Sequence, residues 1–346
     1  MKDIRLLIIG SFNLGALETF YVAGFQKQGF SPDTFDITED YYPVINRSVF
    51  NKILNKIHPE FFFSPINKKL LLFINNRQYD AIIVFKGLTL CASTIEALKK
   101  HSKIICCYNP DHPFTFYSEG SGNKHLRNSI KLYDIYFSYS KKIASALKEK
   151  FQISSFVIPF GFDSDTKPSE KANSNSLHKI LFIGAYDKQR VNLLNQLPTN
   201  DLLIYGDSRW KTRTFNYPQI KKKSTGQSLF GQDYVDATAS ADAVLNFLRP
   251  QNLQEDSHNM RTFEVPGYAG LLIANRTTEQ QEFFDENKEA LFFDTTEELI
   301  DKIRFVQNSD TLKKKMKEAA YERASTSGYS YYHRSVAILN IIKIFL

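Results

Sequence analysis

The sequence predicts an α/β protein of two domains, each built on a parallel sheet. Apolar runs of four or five residues, typical of strands buried on both faces, alternate with segments of helical period along the chain. This alternation indicates strand–helix–strand units, which build parallel sheets. At 346 residues the chain also exceeds the size at which a single hydrophobic core keeps growing, which favours two domains over one.

The predicted strands fall into two series. The first occupies 6–9, 33–37, 81–85, 103–107, 135–138 and 155–158, with helices between the strands, for example at 16–28, 94–101 and 141–151. The second occupies 179–183, 202–205, 243–247, 271–274 and 290–293. The segment between the two series is rich in Pro, Gly, Ser and Asn and has no period. We therefore predict an N-terminal domain over 1–160, a linker over 161–177 and a C-terminal domain over 178–330.

The last segment, 331–346, is a largely apolar helix candidate. Arg334 and Lys343 interrupt it, and it is too short to span a bilayer. We expect it to pack back on the protein rather than to lie on a membrane surface, because it lacks a clear cationic face.

The distribution of apolar residues and cysteines bears on the location of the protein and on the state of its thiols. The sequence has no run of about eighteen apolar residues and leads straight into its first strand, so we expect neither a transmembrane helix nor a signal peptide, and a cytoplasmic location. Cys91, Cys106 and Cys107 form no CxxC pair and lie in apolar segments. They are expected to be reduced core thiols rather than a disulfide or zinc framework.

Positive charge is concentrated in the first part of the chain. Residues 1–160 carry 20 Lys and Arg against 13 Asp and Glu, whereas the remainder carries 24 against 24. That part should prefer an anionic partner or surface, such as the inner face of a membrane, although a solvated lysine-rich surface explains the same count. No zinc-finger, RRM or KH pattern is found, so nucleic acid is not an expected partner.

Two carboxylates and an arginine precede the strand at 271–274. Asp256 and Glu264 are eight residues apart, a little over two helical turns of about 3.6 residues. If a helix begins near Ser257, both acids can share one face of it, with Glu264 deeper in the helix. The alternative for Glu264 is an acid on the helix surface paired with a nearby base.

Two strand-to-helix turns are candidates for binding phosphate through backbone N–H groups. The turn over 10–15 holds Gly10 and Gly15 but no fixed cation, so glycine packing is the favoured reading there. The turn over 184–190 begins with Gly184 and holds Lys188 and Arg190, which can bind a diphosphate. Neither turn is a GxGxxG or Walker loop.

The second part of the chain carries a family resemblance. The run Arg261-Thr-Phe-Glu-Val-Pro-Gly-Tyr-Ala-Gly-Leu-Leu-Ile, with the blocks at 182–194, 243–249, 279–284, 288–294, 297–304 and 329–334, resembles the C-terminal domain of CgeB-like glycosyltransferases. These are relatives of the group 1 glycosyltransferases of GT-B fold. The match spans roughly 178–335, while the first part resembles only a generic N-terminal domain of such enzymes, with 107–113 the one segment similar to the family.

The resemblance implies two Rossmann-like domains facing each other across a cleft, with a nucleotide-sugar donor on the C-terminal domain and an acceptor on the N-terminal one. It places Glu264 on the ribose hydroxyls and Asp256 near the sugar, where Asp replaces the more usual Glu and Glu255 is a substitute candidate. The departing diphosphate needs cations and helix N-termini, and the sugar needs carboxylates. The diphosphate group is expected to meet Gly184, Lys188, Arg190, Arg261 and the amides near His258 and Asn259. His258 is alternatively a surface residue at a helix N-terminus.

In the N-terminal domain Asp111 and His112 follow the strand at 103–107, where α/β sheets present ligands. Either can touch the acceptor hydroxyl or the sugar, but Asn-Pro-Asp also forms turns without any catalytic role. The expected partners are a nucleotide-sugar donor and a glycan or lipid-linked acceptor, with no metal and no other cofactor. The expected activity is transfer with retention of configuration. The alternatives are an epimerase or phosphorylase of the same fold and a non-enzymatic two-lobed binding protein.

Overall fold

The computed structural model describes residues 4–115, 122–174, 177, 179–198 and 200–346. The chain forms two compact units: Met1–Pro159 together with Tyr331–Leu346, and Phe160–Ser330. Each unit is built on a parallel sheet flanked by helices, so the predicted α/β class and its two sheets are confirmed.

The sheet of the first unit has six parallel strands in the order β2-β1-β3-β4-β5-β6. The strands are β1 (Leu6–Gly10), β2 (Asp33–Asp36), β3 (Tyr79–Phe85), β4 (Ser102–Asn109), β5 (Ile135–Ser138) and β6 (Ser154–Val157). Its helices are α1 (Leu17–Lys27), α2 (Tyr41–Asn46), α3 (Val49–Ile57), α4 (Glu60–Ile74), α5 (Ala92–Leu98), α6 (Lys124–Ser129) and α7 (Lys141–Phe151). The central strands are buried on both faces, which is why their sequences are continuously apolar rather than alternating. Cys106 and Cys107 are buried in β4 as free thiols, and Cys91 is partly buried.

The sheet of the second unit has five parallel strands in the order β11-β10-β9-β7-β8. The strands are β7 (Ile180–Ile183), β8 (Leu202–Tyr205), β9 (Ala243–Asn246), β10 (Leu272–Asn275) and β11 (Ala290–Phe293). Its helices are α8 (Glu170–Ser174), α9 (Lys188–Asn195), α10 (Arg209–Thr212), α11 (Pro218–Lys223), α12 (Gly231–Ser240), α13 (Pro250–Gln254), α14 (Arg261–Gly267), α15 (Thr278–Phe283), α16 (Thr296–Asn308) and α17 (Asp310–Thr326). The rings of Phe182, Trp210 and Phe247 pack together in its core.

Most of the segment predicted as a linker packs within the second unit. Phe162 forms a bridge with Ser330, and Ser169 donates hydrogen bonds from its backbone N–H and its hydroxyl to Asp236, both at 2.8 Å. The helix α8 follows. Residues 175 and 176 of the predicted linker lie outside the described part of the chain.

The C-terminal helix α18 (Tyr331–Phe345) packs back on the protein as expected, against α1 of the first unit. Phe20 and Tyr331 stack with ring centroids 5.1 Å apart, and Gln28 Nε2 donates to Ser335 Oγ at 2.8 Å. Gly24 allows this close approach, because a Cβ there would lie 2.5 Å from Ser335 Oγ. The missing side chain therefore sets how closely the two helices pack.

Candidate functional site

Each sheet has one point where the strand order reverses, and in α/β sheets ligands bind beyond the carboxyl ends of the strands at such a point. In the second unit it lies between β7 and β9, because β8 follows on one side and β10 on the other. The turn over 184–190 leaves β7 there, and Phe247 follows the end of β9. The predicted phosphate turn therefore occupies the expected ligand position of this sheet.

Side chains of the same unit hold the turn after β7. Trp210 Nε1 donates to the carbonyl of Gly184 at 2.8 Å. Asp187 caps α9 by accepting the N–H groups of Gln189 and Arg190 at 2.8 and 3.3 Å. Lys188, the first residue of the helix, is exposed. The helix start is thus already occupied by one carboxylate, and Lys188 is the solvent-facing cation beside it.

Arg190 spans the reversal point. Its guanidinium donates to the carbonyls of Ala185 and Phe247, both at 3.1 Å, and so joins the turn after β7 to the end of β9. Burial, together with the positive charges of Arg261 and Arg249, lowers the pKa of Arg190 to about 10. Three arginines therefore lie near one another with mutually repelling charges, an arrangement that an anionic ligand would relieve.

Asn259 is fixed against the end of β9 by a reciprocal pair of amide hydrogen bonds. Asn259 Nδ2 donates to Asn246 Oδ1 at 2.8 Å, and Asn246 Nδ2 donates to Asn259 Oδ1 at 3.0 Å. Asn259 Oδ1 also accepts the N–H of Arg261, the first residue of α14, at 3.0 Å. The pair positions the start of α14, and with it Arg261, beside the strand end.

Glu264 is buried within α14 and is 8% exposed. Its Oε2 accepts a hydrogen bond from the Tyr234 hydroxyl at 2.8 Å. Burial raises the pKa of the carboxyl, whereas Arg261 and the Tyr234 hydrogen bond oppose that rise. The alternative of a surface acid paired with a base is wrong, since the acid is buried and bonded to a tyrosine.

The helix that was expected to begin near Ser257 begins at Arg261. Asp256 lies before it with φ of 54°, in the left-handed region, and accepts the N–H of Thr278 at 2.8 Å at the start of α15. Asp256 and Glu264 therefore do not share a helix face, and Asp256 is used to join two turns. Glu255, the substitute candidate, is buried next to it and contacts the Ser257 hydroxyl at 3.4 Å.

His258 is fully buried, so the alternative of a surface residue is wrong. Its Nε2 accepts the N–H of Phe160 at 3.3 Å, and its Nδ1 lies 2.7 Å from Glu279 Oε2. Because Nε2 accepts a backbone N–H, the neutral ring carries its proton on Nδ1 and donates it to Glu279. The imidazole ties three segments of the second unit together, and the predicted contact of a nearby backbone amide with phosphate stays a prediction.

In the first unit the strand order reverses between β1 and β3. Lys86 follows β3 with φ of 60°, and its Nζ donates to Asp111 Oδ2 at 2.5 Å. Asp111 is further oriented by its own N–H, which donates to Asn109 Oδ1 at 3.0 Å. The side chain of Asp111 is 28% exposed. The predicted acid thus lies beyond the strand ends as a partly buried ion pair, a partner that the sequence did not reveal.

His112 is neutral at physiological pH, because burial, together with the positive charge of Lys150, lowers its pKa to about 4. Its Nδ1 accepts the N–H groups of Phe114 and Thr115 at 3.4 and 3.0 Å. The ring proton is therefore on Nε2, which makes that atom a hydrogen-bond donor and not a base.

Sequence reasoning missed Glu18, in the first turn of α1. Its Oε1 accepts the N–H of Ser11 at 2.9 Å, and a Cβ on Gly10 would lie 2.6 Å from the same oxygen. Burial raises the pKa of Glu18 to about 7; the Ser11 hydrogen bond opposes that rise. A carboxyl already fills the space above Gly10, which supports glycine packing rather than phosphate binding in this turn.

The first unit contains a groove of about 970 Å³. Its lining includes Tyr41, Tyr42, Lys52, Asn55 and Lys56. A smaller cavity of about 100 Å³ shares Tyr41 and Tyr42 with the groove and reaches Glu18 and Lys86. The groove combines aromatic faces, amides and two lysines, a lining that suits a polar, anionic ligand with ring-shaped groups.

Within the described residues no helix is long and apolar enough to cross a membrane. Over the same ranges no cluster of three or more His, Cys, Asp or Glu side chains has an arrangement that could hold a metal ion.

Residues 189–340 match a family model described as glycosyl transferase-like. The chain contains a glycosyl transferase-like domain. The chain also shares its fold with solved structures over nearly its full length. Sucrose-phosphate synthase from Thermosynechococcus elongatus aligns with a TM-score of 0.70 and 12% identity, over 98% of each chain. No curated protein sequence matches the chain significantly.

Two further structures bear on the expected activity. The structure of Anabaena HepE in complex with UDP-glucose aligns with a TM-score of 0.65 and 12% identity, over 99% of this chain and 100% of the other. A UDP-N-acetylglucosamine 2-epimerase assigned to Listeria monocytogenes aligns with a TM-score of 0.58 and 13% identity, over 99% and 96%. The GT-B fold and the glycosyltransferase class are confirmed, while the narrower resemblance to CgeB-like proteins stays a prediction.

Proposed function

We propose that the chain transfers a sugar from a nucleotide-sugar donor to a glycan or lipid-linked acceptor, with retention of the donor's anomeric configuration. The proposed setting is the synthesis of a surface polysaccharide or glycoconjugate, in the cytoplasm at the inner face of the membrane. The observation that carries the proposal is the cluster of Arg190, Arg249 and Arg261 near the buried Glu264, at the reversal point of the second sheet.

The donor is proposed to lie with its diphosphate toward this cluster. Arg190 and Arg261 supply positive charge where the departing diphosphate becomes more negative, and Lys188 is the exposed cation at the start of α9. At Gly184, and at the backbone N–H groups near His258 and Asn259, the diphosphate is proposed to approach the main chain closely. Because arginines provide the positive charge, we expect the transfer to need no metal ion.

Glu264 is proposed to hold the ribose hydroxyls of the donor. A carboxylate accepts hydrogen bonds from two adjacent hydroxyls, and the Tyr234 hydroxyl fixes the orientation of Oε2. Asp256 is proposed to act near the sugar. Since Thr278 N–H already holds its Oδ1, that role would depend on the other carboxylate oxygen.

The acceptor is proposed to bind the first unit. Asp111, paired with Lys86, is the candidate for receiving the acceptor proton. His112 is proposed to donate a hydrogen bond from Nε2 to the acceptor or the sugar, because its neutral form and its Nδ1 contacts leave it no role as a base.

An epimerase of the same fold is the second candidate, favoured by the similarity to the Listeria structure. A phosphorylase and a non-enzymatic two-lobed binding protein are less supported. An epimerase would interconvert the donor without an acceptor, whereas a transferase consumes donor in proportion to glycosylated acceptor. Product analysis with and without added glycan acceptors separates the two.

The test of donor binding is a thermal-shift screen with UDP, GDP, CMP and dTDP sugars, because a ligand that binds only the folded state raises the apparent melting temperature. We expect one nucleotide class to stabilise the protein. Glu264→Gln should weaken that donor by about thirtyfold, the loss of roughly 2 kcal/mol for hydrogen bonds to a charged group.

Tyr234→Phe provides the matched control, because it removes the hydrogen bond to Glu264 but keeps the carboxylate. It should weaken the donor much less than Glu264→Gln does. If no nucleotide sugar in the panel is bound or hydrolysed, the proposed function is wrong. If donor affinity is unchanged in folded Glu264→Gln, the assignment of Glu264 to the ribose is wrong.

A further inference from the structure

The helix α3 turns an apolar face outward. Val49, Phe50, Ile53 and Ile57 are 74%, 70%, 53% and 64% exposed, and no residue of this helix is buried. Their spacing of three and four residues places them along one side of the helix. Phe61, in the first turn of α4, is also 67% exposed. We call Val49, Phe50, Ile53, Ile57 and Phe61 the α3 face.

Single exposed apolar side chains are normal on a protein surface, whereas a contiguous group indicates an interaction surface. Five large apolar residues within thirteen positions form such a group. The period of α3 alone predicts a helix packed on a core, but among the described residues that face has no apolar cover. Such a face indicates a partner from outside the described part of the chain.

Charge identifies the kind of occupant. The three helices from α2 to α4 and the turns that join them carry five cations and one acid: Arg47, Lys52, Lys56, Lys68 and Lys69 against Glu60. The acid is already paired, since Glu60 Oε1 lies 2.9 Å from Lys124 Nζ and 3.0 Å from His125 Nε2. Lys69 is paired as well, with Glu39 and Asp40 at 3.3 and 2.8 Å, so the positive excess comes from the other four cations. Cations between and beside exposed apolar residues are typical of a helix that lies in the interface of an anionic bilayer.

The groove described above adjoins the same helix. Lys52, Asn55 and Lys56 of α3 line it, while the residues that α3 contributes to the α3 face occupy other positions of this helix. One short helix therefore presents apolar side chains to one environment and polar side chains to a groove. A polar group attached to a membrane lipid would meet both.

We propose that the α3 face docks on an anionic lipid bilayer. Phe50, Ile53 and Phe61 enter the boundary between headgroups and acyl chains, and Lys52 and Lys56 lie at the level of the lipid phosphates. The inference rests on the proposed function only in naming a lipid-linked acceptor. Docking itself is measured without sugar transfer.

The experiment is flotation of the full chain with vesicles of phosphatidylcholine alone and of phosphatidylcholine mixed with phosphatidylglycerol. Wild-type protein should float with the anionic vesicles, and added salt should weaken the binding. The double variant Phe50→Ser/Ile53→Ser should bind the anionic vesicles about tenfold less. Lys52→Gln/Lys56→Gln should reduce binding to them and make little difference to the weak binding to phosphatidylcholine.

Phe215→Ser is the matched control, because Phe215 is an equally exposed aromatic residue, 72%, in the second unit. It should float like the wild type. A nucleotide-induced thermal shift, measured on every variant, reports folding and donor binding separately from docking, so loss of donor binding in all proteins would count against the proposed function alone.

Two results would overturn the inference. One is equal flotation of wild type and Phe50→Ser/Ile53→Ser, or no flotation of either. The other is a wild-type dimer in sedimentation velocity that Phe50→Ser/Ile53→Ser converts to a monomer, since the α3 face would then be covered by a second copy of the chain.

Discussion

At the residue scale, some predicted site residues are held by hydrogen bonds within their own unit, whereas others present a charge that a ligand can bind. In the sequence His258 and Asp256 were site candidates along with Glu264, yet each is held by a backbone N–H of its own unit. Arg190 also bonds to backbone carbonyls, but the positive charges of Arg261 and Arg249 act on it more strongly than the negative charge of Asp187. Residue type and spacing alone do not distinguish these cases.

Glu18 leads to a prediction about pH. A carboxyl whose pKa rises from 4.5 to about 7 on folding binds its proton more tightly in the folded state, so it favours folding at low pH. The free energy of unfolding should fall as the pH rises from 4.5 through about 7, by at most about 1.4 kcal/mol per pH unit. Glu18→Gln should remove this dependence, measured by urea unfolding across that range.

Glu96→Gln is the control for this measurement, because Glu96 is an exposed acid of the same unit. It should keep the wild-type slope. A Glu18→Gln protein with the same slope as the wild type would show that Glu18 ionises normally.

At the element scale, the strands were predictable and several helix starts were not. Parallel strands that are buried on both faces are continuously apolar, so each can be predicted from a short apolar run in the sequence. The helix at Arg261 starts later than expected because Asn259 and Ser257 bind locally through their side chains. That outcome depends on Asn246 and Glu279, which lie far away in the sequence. Glu18 was missed for the same reason, since its environment depends on packing against Gly10.

Gly206 packs closely against the turn over 184–190, which is proposed to bind the donor diphosphate. A Cβ at this position would overlap the carbonyl oxygen of Gly184 and the indole of Trp210, the two groups joined by the hydrogen bond that fixes the turn. Gly206→Ala should therefore destabilise the second unit by about 3 kcal/mol and weaken donor binding. Chemical unfolding followed by Trp210 fluorescence measures the first effect, and nucleotide titration measures the second.

Gly231→Ala offers a comparison without overlap, because a Cβ at that position meets nothing within 4 Å and only its φ of 54° is unfavourable. It should cost about 1 kcal/mol. Equal losses for the two variants would mean that the space around Gly206 relaxes to accept a methyl group.

At the scale of the whole molecule, the chain leaves the first unit after Pro159 and returns to it at Tyr331. The sequence predicted the composition of both domains and a helix at the end that packs back, but not which unit would receive that helix. On α1 the surface that contacts this helix is indicated in the sequence only by Gly24. A glycine within a helix has several possible explanations, so the sequence did not identify the contact.

A single tryptophan makes the two units separable in experiments, since Trp210 lies in the core of the second unit. Gly24→Val should force α1 and α18 apart and lower the thermal transition of the first unit, seen by far-UV circular dichroism, by about 5 °C. The Trp210 fluorescence transition should stay where it is. Gln26→Val, at an exposed position of the same helix, should leave both transitions nearly unchanged. A parallel shift of both transitions in Gly24→Val would contradict the separation.

The return of the chain to its first unit has a consequence for synthesis on the ribosome. The contact between Gly24 and Ser335 joins residues 311 positions apart, and it cannot form until the segment that ends the second unit has been translated. The second unit is one continuous segment, Phe160–Ser330, and is therefore the first that can be completed. Until then α18 is absent, and we expect the side of α1 with Phe20 and Tyr21 to be exposed on the nascent protein.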